Sequence, residues 1–342
     1  MSAQQQDPIS EGEFDYIIVG GGTAGCLLAN RLSKDPRNSV LLLEAGGKDD
    51  WIWFHIPIGY LFAIGNPRSD WCYKTEPVPG LNGRSIGYAR GKVIGGCTAI
   101  NAMVYMRGQV QDYDTWAQMG LSGWGWDDVL PYFLRHEDHE LGRNAMHGAG
   151  GEWRVENARV RWPLIDDIAA AGEQVGIPRV GDFNLGTNEG SGYFQVNQKK
   201  GMRWSAATGF LKPVLDARAN LNLHSRVHAE RVLFEPGADG RPRACGVVYR
   251  ESHTGQRFTA RAKREVILAA GAINSPQLLQ LSGIGPADLL KEHGIDVLHH
   301  LPGVGENLQD HLQLRMIYKV HGVKTINDTG LLGRGLMGLN YA

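Results

Sequence analysis

The sequence predicts an α/β fold with a doubly wound (Rossmann-like) core and a second, antiparallel-sheet domain. Three observations support this prediction. A short apolar run at 14–19 is followed by a glycine-rich turn, apolar residues after the turn recur at helical spacing, and a second apolar run occupies 39–44. Apolar runs bounded by turn residues are typical of buried parallel strands. Together the three segments form a βαβ unit.

The two strands and the helix of this unit have distinct patterns. FDYIIV at Phe14–Val19 and SVLLLE at Ser39–Glu44 are nearly continuous apolar runs, as strands buried on both faces require. Between them, leucine and alanine residues from Thr23 to Leu32 recur on one helical face. We therefore expect strand, helix and strand in this order, with GGGTAG at the turn between the first strand and the helix.

The middle of the chain has a different character. From about 50 to 90 and from 110 to 220, tryptophan, proline and glycine separate short elements, which indicates a second domain. Within it, Asp127–His136 starts acidic and ends basic, as a helix does, and Ser205–Leu215 has another helical pattern.

The strand pattern resumes near Asn220. NLNLHSRV, AERVLFE and ACGVVYR alternate in the manner of antiparallel strands, and REVILAAGA at Arg264–Ala272 has the pattern of a further, fully buried strand. Asn274, Ser275 and Pro276 then predict the cap and first turn of the following helix. A turn at this end of a strand either faces a ligand or is structural. The first domain is therefore discontinuous, returning after an insertion.

Composition and charge exclude several classes of protein. The chain has 342 residues, more than one core usually holds, and its 46 glycines indicate many tight turns or close approaches to a ligand. Lys plus Arg number 35 against 36 Asp plus Glu, so no nucleic-acid partner is expected. The four cysteines form no CxxC pair and suggest neither a disulfide framework nor a zinc site.

The sequence shows no targeting or membrane segment. The N-terminus lacks a basic start followed by an apolar run, and no stretch reaches the roughly 18 apolar residues of a spanning helix. We expect a cytoplasmic location, with peripheral contact to the inner membrane left open.

The first turn contains a dinucleotide-binding pattern. Gly20, Gly22 and Gly25 form G-x-G-x-x-G between a predicted strand and helix, where backbone N–H groups can contact a pyrophosphate. Glu44 ends the second strand, where its carboxylate would accept hydrogen bonds from ribose hydroxyls and repel a 2′-phosphate. The pattern favours FAD or NAD over NADP. The alternative is a glycine-rich turn without a ligand.

A second glycine-rich stretch, GKVIGGCTAIN at 91–101, is not required by a simple NAD fold. Gly95 and Gly96 would let the backbone come within contact distance of a ligand, and Asn101 offers an amide donor and acceptor. We interpret it as a loop along a pyrophosphate and a flavin ring. The alternative is a connection at a domain boundary.

Two longer stretches resemble a known family. GKVIGGCTAINAMVYMRGQVQDYD at 91–114 resembles the first signature of the glucose-methanol-choline (GMC) flavin oxidoreductases, and GAINSPQLLQLSGIG at 271–285 resembles the second. WCYKTEP at 71–77, GWGWDDVLPYF at 123–133 and LPGVGENLQDH at 301–311 also resemble segments of its choline-dehydrogenase-like and bacterial alcohol dehydrogenase branches. The resemblance extends from about Phe14 onward. Cys97 departs mildly from the pattern, which usually has a small hydroxyl residue or glycine there.

The resemblance implies FAD as the cofactor and assigns residues to it. Some members attach the flavin through a histidine directly before the asparagine of the first signature; Ile100 stands there, so we expect noncovalent FAD. The residues implied to contact the cofactor are Gly20, Gly22, Thr23, Ala24, Gly25, Glu44, Ala45, Trp71, Gly95, Gly96, Asn101, Ala102, Met103, Val104 and Ala229.

The same resemblance implies a domain division. The FAD-binding domain is predicted at 14–50, 88–110 and 220–312, and a cap or substrate domain at 51–87, 111–219 and 313–342. The family's substrate domain extends considerably further, so the chain is expected to be truncated relative to a complete enzyme.

The activity implied is oxidation of an alcohol, such as choline or a primary alcohol, by hydride transfer to flavin N5, with a quinone or another electron acceptor. Such oxidation needs a base near the hydroxyl, and histidine is the natural candidate. In the family this histidine lies in a C-terminal segment whose motif does not occur before Ala342, so no catalytic residue is assigned. Two alternatives stay open: a hydroxynitrile-lyase-like relative, and an FAD-binding fragment without turnover.

The histidines suggest no metal site. HEDHE at 136–140 does not match the HExxH zinc pattern, and a charged helix end explains it. A structural hydrogen-bonding role is expected for His311.

Overall fold

A computed structural model describes residues 7–311, 313–323, 325 and 330. Its helices are α1 (Thr23–Leu32), α2 (Tyr60–Ala63), α3 (Val110–Gln118), α4 (Trp126–His136), α5 (Pro163–Gln174), α6 (Lys212–Leu215), α7 (Gly271–Leu281) and α8 (Ala287–Glu292). Short 3₁₀ turns occupy Ile52–Phe54, Pro57–Gly59, Pro79–Leu81 and Gly96–Ala99, and a π turn occupies Ala207–Leu211.

The strands are mostly short outside the main sheet. They are β1 (Ile9–Val19), β2 (Val40–Glu44), β3 (Tyr73–Lys74), β4 (Gly87–Tyr88), β5 (Val104–Tyr105), β6 (Glu137–His139), β7 (Trp153–Asn157), β8 (Gln195–Val196), β9 (Gln198–Lys199), β10 (Met202–Arg203), β11 (Leu221–Ser225), β12 (Val227–Pro236), β13 (Pro242–Glu251), β14 (Arg257–Leu268), β15 (Ile284–Gly285) and β16 (His299–His300).

The chain divides into two compact units. Unit 1 comprises 1–54, 59–100 and 205–311, and unit 2 comprises 55–58, 101–204 and 312–342. The predicted domain division stays a prediction; the compact units have other bounds, since 51–54, 59–87 and 205–219, predicted in the cap domain, belong to unit 1. The segment 205–219 contacts α1 of unit 1: Asn30 of α1 donates its side-chain amide to the Phe210 carbonyl at 2.6 Å. Residues 101–110, predicted in the FAD domain, belong to unit 2.

The core of unit 1 is a six-stranded sheet in the order β11-β2-β1-β14-β13-β12. Neighbours from β11 to β14 are parallel, and β14, β13 and β12 are antiparallel. The apolar runs of β1 and β2 explain its centre, since Ile17, Ile18 and Val40–Leu42 are fully buried. The predicted βαβ unit is confirmed as β1–α1–β2, and the mixed α/β class is confirmed.

Two local expectations were wrong. Leu221–Ser225 pairs parallel with β2 rather than antiparallel. The strand predicted at 264–272 ends at Leu268 and is only half-buried there, because β14 begins earlier and its charged residues 263–265 are exposed. The helical pattern predicted at 205–215 is confirmed, as a π turn at Ala207–Leu211 followed by α6.

Unit 2 contains a four-stranded sheet in the order β5-β8-β7-β6 and the pair β9-β10. The helix predicted at 127–136 is confirmed as α4. Among the described residues of both units, no helix is long and apolar enough to cross a membrane.

Candidate functional site

A cavity of about 500 Å³ lies in unit 1 at the carboxyl ends of three adjacent parallel strands. Val19 of β1, Glu44 of β2 and Leu268 of β14 line it, together with the first residues of α1. Ligands bind at this edge in open α/β sheets, and the volume is within the usual range of small-molecule and cofactor sites. The cavity is therefore the candidate site.

The turn between β1 and α1 is built from backbone contacts. Gly20 has φ +105°, and a Cβ there would lie 2.5 Å from the carbonyl oxygen of Ala269. A Cβ on Gly25 would lie 1.9 Å from the Gly20 oxygen, so Gly25 lets α1 pack against the turn. Gly22 has no neighbour closer than 3.9 Å to its would-be Cβ, which leaves space on the cavity side.

Helix α1 starts directly at the cavity. Gly22 is its N-cap, no side chain caps it, and Gly22, Thr23 and Ala24 line the cavity. The first N–H groups of a helix lack intrahelical partners and carry a partial positive charge. This end of α1 can therefore bind an anionic group such as a phosphate.

The second glycine loop packs against the first. Gly95 donates its N–H to the Gly21 carbonyl at 2.8 Å, and a Cβ on Gly96 would lie 2.8 Å from the Gly22 Cα. Gly91 approaches Gly96 just as closely, with a would-be Cβ 2.3 Å from the Gly96 carbonyl carbon. The two loops form one wall of the cavity because these three glycines leave no side chain between their backbones.

Glu44 places a buried carboxyl group at the cavity. It is 6% exposed; Oε2 accepts the Gly21 N–H at 2.8 Å, and Oε1 accepts the Gly46 N–H at 2.6 Å. Burial raises its pKa to about 7, although the backbone N–H donors act in the opposite direction. A carboxylate can accept about four hydrogen bonds, so Glu44 retains capacity for ligand hydroxyls.

An aromatic cluster stands beside the cavity. Trp71 and His228 line it, and their rings meet edge to face at 5.5 Å between centroids. Trp71 stacks on Tyr73 at 5.7 Å, and the Lys92 ammonium lies 4.8 Å from the Trp71 ring centroid. Ala229, next to His228 on β12, also lines the cavity. Flat rings and a small residue side by side suit contact with a planar ligand group.

The turn after β14 completes the wall with residues 269–275. The predicted cap is wrong here: α7 begins at Gly271 with Ala270 as N-cap, and Pro276 lies inside the helix. Ser275 nevertheless acts at this end, since its Oγ accepts the Ala270 N–H at 3.1 Å. Of the two roles left open for this turn, the structure places it at the cavity.

The chain is similar to proteins of a known family. The sequence family described as GMC oxidoreductase matches residues 14–313. The chain belongs to the GMC oxidoreductase family. The predicted family resemblance is thereby confirmed.

Relatives of this GMC chain include dehydrogenases. It is 43% identical over 328 residues to an alcohol dehydrogenase [acceptor] of Pseudomonas putida, covering 95% of this chain and 58% of that protein. It is 45% identical over 313 residues to mitochondrial choline dehydrogenase of Homo sapiens, covering 89% of this chain and 51% of that protein. The chain thus spans about half the length of the curated relatives it matches.

Solved structures share the fold. Pyridoxine 4-oxidase from Mesorbium loti has a TM-score of 0.81 and 37% identity, covering 87% of this chain and 57% of that one. An FAD-dependent oxidoreductase from Chaetomium thermophilum has a TM-score of 0.79 and 33% identity, covering 87% and 52%. FAD is the cofactor expected of a GMC oxidoreductase, so the prediction of FAD rather than NAD is confirmed. Its noncovalent attachment stays a prediction.

The residues of the cavity fit FAD. Its wall combines a helix N-terminus for phosphates, a buried carboxyl group for ribose hydroxyls, and glycines where a Cβ would collide with backbone. Nine of the fifteen predicted cofactor residues line it: Gly20, Gly22, Thr23, Ala24, Glu44, Ala45, Trp71, Gly96 and Ala229.

The other six predicted residues lie elsewhere. Gly25 and Gly95 do not line the cavity; Gly25 packs against the Gly20 oxygen, and Gly95 donates its N–H to the Gly21 carbonyl. Asn101, Ala102, Met103 and Val104 belong to unit 2, so their place beside the flavin stays a prediction. Two of these four have unusual local structure.

Asn101 and Met103 share a strained turn in unit 2. The Asn101 Oδ1 accepts the Met103 N–H at 2.9 Å and an Arg203 N–H at 3.1 Å. Met103 has φ +62°, a left-handed conformation that non-glycine residues seldom adopt and that often occurs at functional sites. Strain at this turn is consistent with a binding role.

Sequence reasoning missed several cavity residues. Arg90, His228 and Gln277 line the cavity but were not predicted, and Cys97 lines it with its Sγ accepting the Gly91 N–H at 3.3 Å. Arg90 and His228 each directly precede a predicted stretch or residue. Extending the predicted segments by one residue would have found both.

A second polar cluster lies in unit 2, at the segment interpreted as a charged helix end. That interpretation was wrong, because Glu137 and His139 are buried in β6. The His147 Nδ1 lies 3.2 Å from both Glu137 oxygens, and its Nε2 lies 2.7 Å from the Asp182 Oδ2. Gln195 Nε2 lies 2.9 Å from the His139 Nε2 and 3.1 Å from the same Asp182 oxygen.

The ligand atoms of His139, His147 and Asp182 lie within 4.8 Å of one another, close enough to hold a metal ion. Each of them already has a hydrogen-bond partner in the network. We therefore interpret the cluster as structural, and the expectation of no metal stays a prediction.

Proposed function

We propose that residues of this chain bind FAD noncovalently and that the whole protein oxidises the CH–OH group of an alcohol. The observation that supports binding is the cavity at the ends of β1, β2 and β14, with two glycine loops and a helix N-terminus in its wall. The similarity to an alcohol dehydrogenase [acceptor] and to choline dehydrogenase supports the reaction.

Different residues would contact different parts of FAD. The start of α1 at Gly22 and Thr23 would hold the diphosphate, and Glu44 would accept the adenosine ribose hydroxyls. Ala229 would lie beside the adenine. Gly96 would lie along the diphosphate toward the flavin, with the turn at Asn101 near the ring. When bound, FAD supplies a hydride acceptor for the alcohol carbon.

The role of these residues is binding and orientation. Backbone N–H groups at the start of α1 keep the phosphates in place without a flexible side chain. The glycine loops exclude side chains from the cofactor's path, and the buried Glu44 fixes one end of the ligand. The base that takes the hydroxyl proton is assigned to no residue of this chain.

The substrate and acceptor belong to the same proposal. The donor is choline or an aliphatic or aromatic primary alcohol, and the acceptor is a quinone or another electron acceptor. A quinone acceptor agrees with peripheral membrane contact, which together with the cytoplasmic location remains a prediction.

The test is the visible spectrum of the purified protein under anaerobic conditions, before and after choline or a primary alcohol is added. Bound oxidised flavin that bleaches supports both binding and alcohol oxidation. Flavin that stays oxidised supports only a cofactor-binding chain, and cyanohydrin cleavage without bleaching supports the lyase alternative. Absence of flavin, with no uptake of added FAD, contradicts the proposal. Release of all flavin on denaturation tests noncovalent attachment.

A further inference from the structure

One cationic and one acidic side chain line the cavity. Among its described lining residues, Arg90 is the one lysine or arginine, and Glu44 is the one aspartate or glutamate. The diphosphate of FAD carries a negative charge on each phosphate, and a helix N-terminus supplies only about half a positive charge. A charge-assisted hydrogen bond from an arginine to a phosphate is stronger than one from a neutral donor, so a cation at the cavity would strengthen the binding of this anion.

The Arg90 side chain is available for that role. Its Nε is buried and has no hydrogen-bond partner among the described residues. The nearby carboxylate is that of the exposed Asp310, which accepts the Tyr88 hydroxyl at 2.8 Å; this hydrogen bond and the Arg90 charge both lower the pKa of Asp310. The guanidinium lies 4.1 Å from the ring centroid of Tyr88, so a ring supports one face. An unmade hydrogen bond from a buried charged donor is unfavourable, and an anionic ligand would complete it.

The backbone fixes where Arg90 stands. Its N–H donates to the buried Asp70 Oδ1 at 2.9 Å, and its carbonyl accepts the Trp71 N–H at 2.9 Å. The next residue, Gly91, contacts Gly96, which in turn contacts Gly22 at the start of α1. Arg90 is therefore held near the helix end where phosphates bind.

We propose that the Arg90 guanidinium binds the diphosphate of FAD and balances its charge. This inference rests on the proposed function, because it concerns the same cavity. The competing explanation is that Arg90 only stabilises the fold by stacking on Tyr88. A diphosphate contact predicts that loss of Arg90 weakens only ligands that contain the diphosphate. A purely structural role predicts equal effects on ligands with and without it.

The experiment compares ligands with and without the diphosphate. Dissociation constants for FAD, ADP and adenosine are measured by flavin fluorescence and by displacement of FAD from the full chain. The variants are Arg90→Gln, Arg90→Lys and, as a matched control, Arg84→Gln, which removes an exposed arginine on the turn between β3 and β4. Circular dichroism and thermal unfolding of each apoprotein verify folding.

We expect Arg90→Gln to weaken FAD and ADP binding about 10- to 100-fold, the usual effect of losing a hydrogen bond between charged groups. Adenosine binding should stay nearly unchanged, Arg90→Lys should recover part of the loss, and Arg84→Gln should behave as the wild type. Unchanged ADP binding, or equal losses for ADP and adenosine, would overturn the inference.

Two results separate this inference from the proposed function. A wild-type protein that binds neither FAD nor ADP refutes both, whereas wild-type binding with an indifferent Arg90→Gln refutes only the role of Arg90. If Arg90→Gln does not fold, the salt dependence of ligand binding to the wild-type protein provides the test. Added salt should then weaken ADP binding but not adenosine binding, and salt-independent ADP binding contradicts the proposal.

Discussion

Removing the imidazole of His147 should flatten the pH dependence of stability in unit 2. This ring has a carboxylate at each nitrogen, Glu137 at 3.2 Å and Asp182 at 2.7 Å, and is 1% exposed. A neutral imidazole carries one proton and can donate to only one of them. The imidazolium form donates to both, so the folded state favours a protonated His147.

The raised pKa of His147 sets the size of the pH-dependent change in the free energy of unfolding. Burial lowers this pKa, but the hydrogen bonds to Asp182 and Glu137 outweigh burial and raise it from 6.5 to about 9. Because the folded pKa exceeds the unfolded one, the stabilisation is fully present below about pH 6.5 and is lost as pH rises through about 9. The shift corresponds to about 3 kcal/mol of unfolding free energy.

The assay is urea unfolding across this pH range, with amide hydrogen exchange of β6 and β7 to confirm that the transition belongs to unit 2. The wild-type free energy of unfolding should fall by about 3 kcal/mol more than that of His147→Gln between pH 6.5 and pH 9.5. His293→Gln, which removes an exposed histidine of unit 1, should retain the wild-type slope.

Equal slopes for wild type and His147→Gln would refute the reasoning. They would mean that His147 binds no more protons in the folded protein than in the unfolded one, so that its pKa is not raised by folding. A steeper slope in His147→Gln would contradict the reasoning too, because it would place the titrating group elsewhere.

Three further predictions concern the cavity. Gly22→Val should lower the unfolding free energy of the apoprotein by about 1 kcal/mol or less, because its Cβ meets nothing closer than 3.9 Å. The same change should abolish FAD retention, and unchanged flavin content in the variant would contradict this prediction. Gly25→Ala should lower the free energy of unfolding by about 2 kcal/mol or more, measured by urea, because its Cβ would lie 1.9 Å from the Gly20 oxygen. In the apoprotein, burial raises the pKa of Glu44 from 4.5 to about 7, so the protonated side chain stabilises the fold at low pH. The free energy of unfolding should therefore fall by about 3 kcal/mol as pH rises from 4.5 through about 7. Glu44→Gln should lack that fall, and a wild-type profile in the variant would disprove the assignment.

The sequence predicts the cofactor half of the fold well because its signals are local. The βαβ unit has apolar runs and a glycine pattern within about thirty residues, and each part depends on neighbours close in sequence. Gly25 is needed for its contact with the Gly20 oxygen inside that unit, so its spacing alone indicates its role, whereas Gly20 also makes a close approach to Ala269, which is distant in sequence.

The parts that sequence reasoning missed depend on contacts distant in sequence. The direction of β11 is set by pairing with β2, which lies about 180 residues earlier, and an alternating pattern does not encode that partner. HEDHE looks like a solvated helix end, yet His147 and Asp182 convert it into a buried network. The assignment of 205–219 to unit 1 also depends on the contact between Phe210 and α1, which no feature of the composition indicates.

The topology of the sheet has a consequence for biosynthesis. Strand β1 lies between β2, about 20 residues later, and β14, about 240 residues later. Since β14 and the turn after it form part of the cavity, the emerging chain cannot assemble this wall until the ribosome has released residues beyond 275. Until then, β1 exposes an unpaired apolar edge, the kind of surface that chaperones recognise. The cavity wall is therefore completed only late in synthesis, and slow translation of the middle segment would lengthen the period in which this edge is exposed.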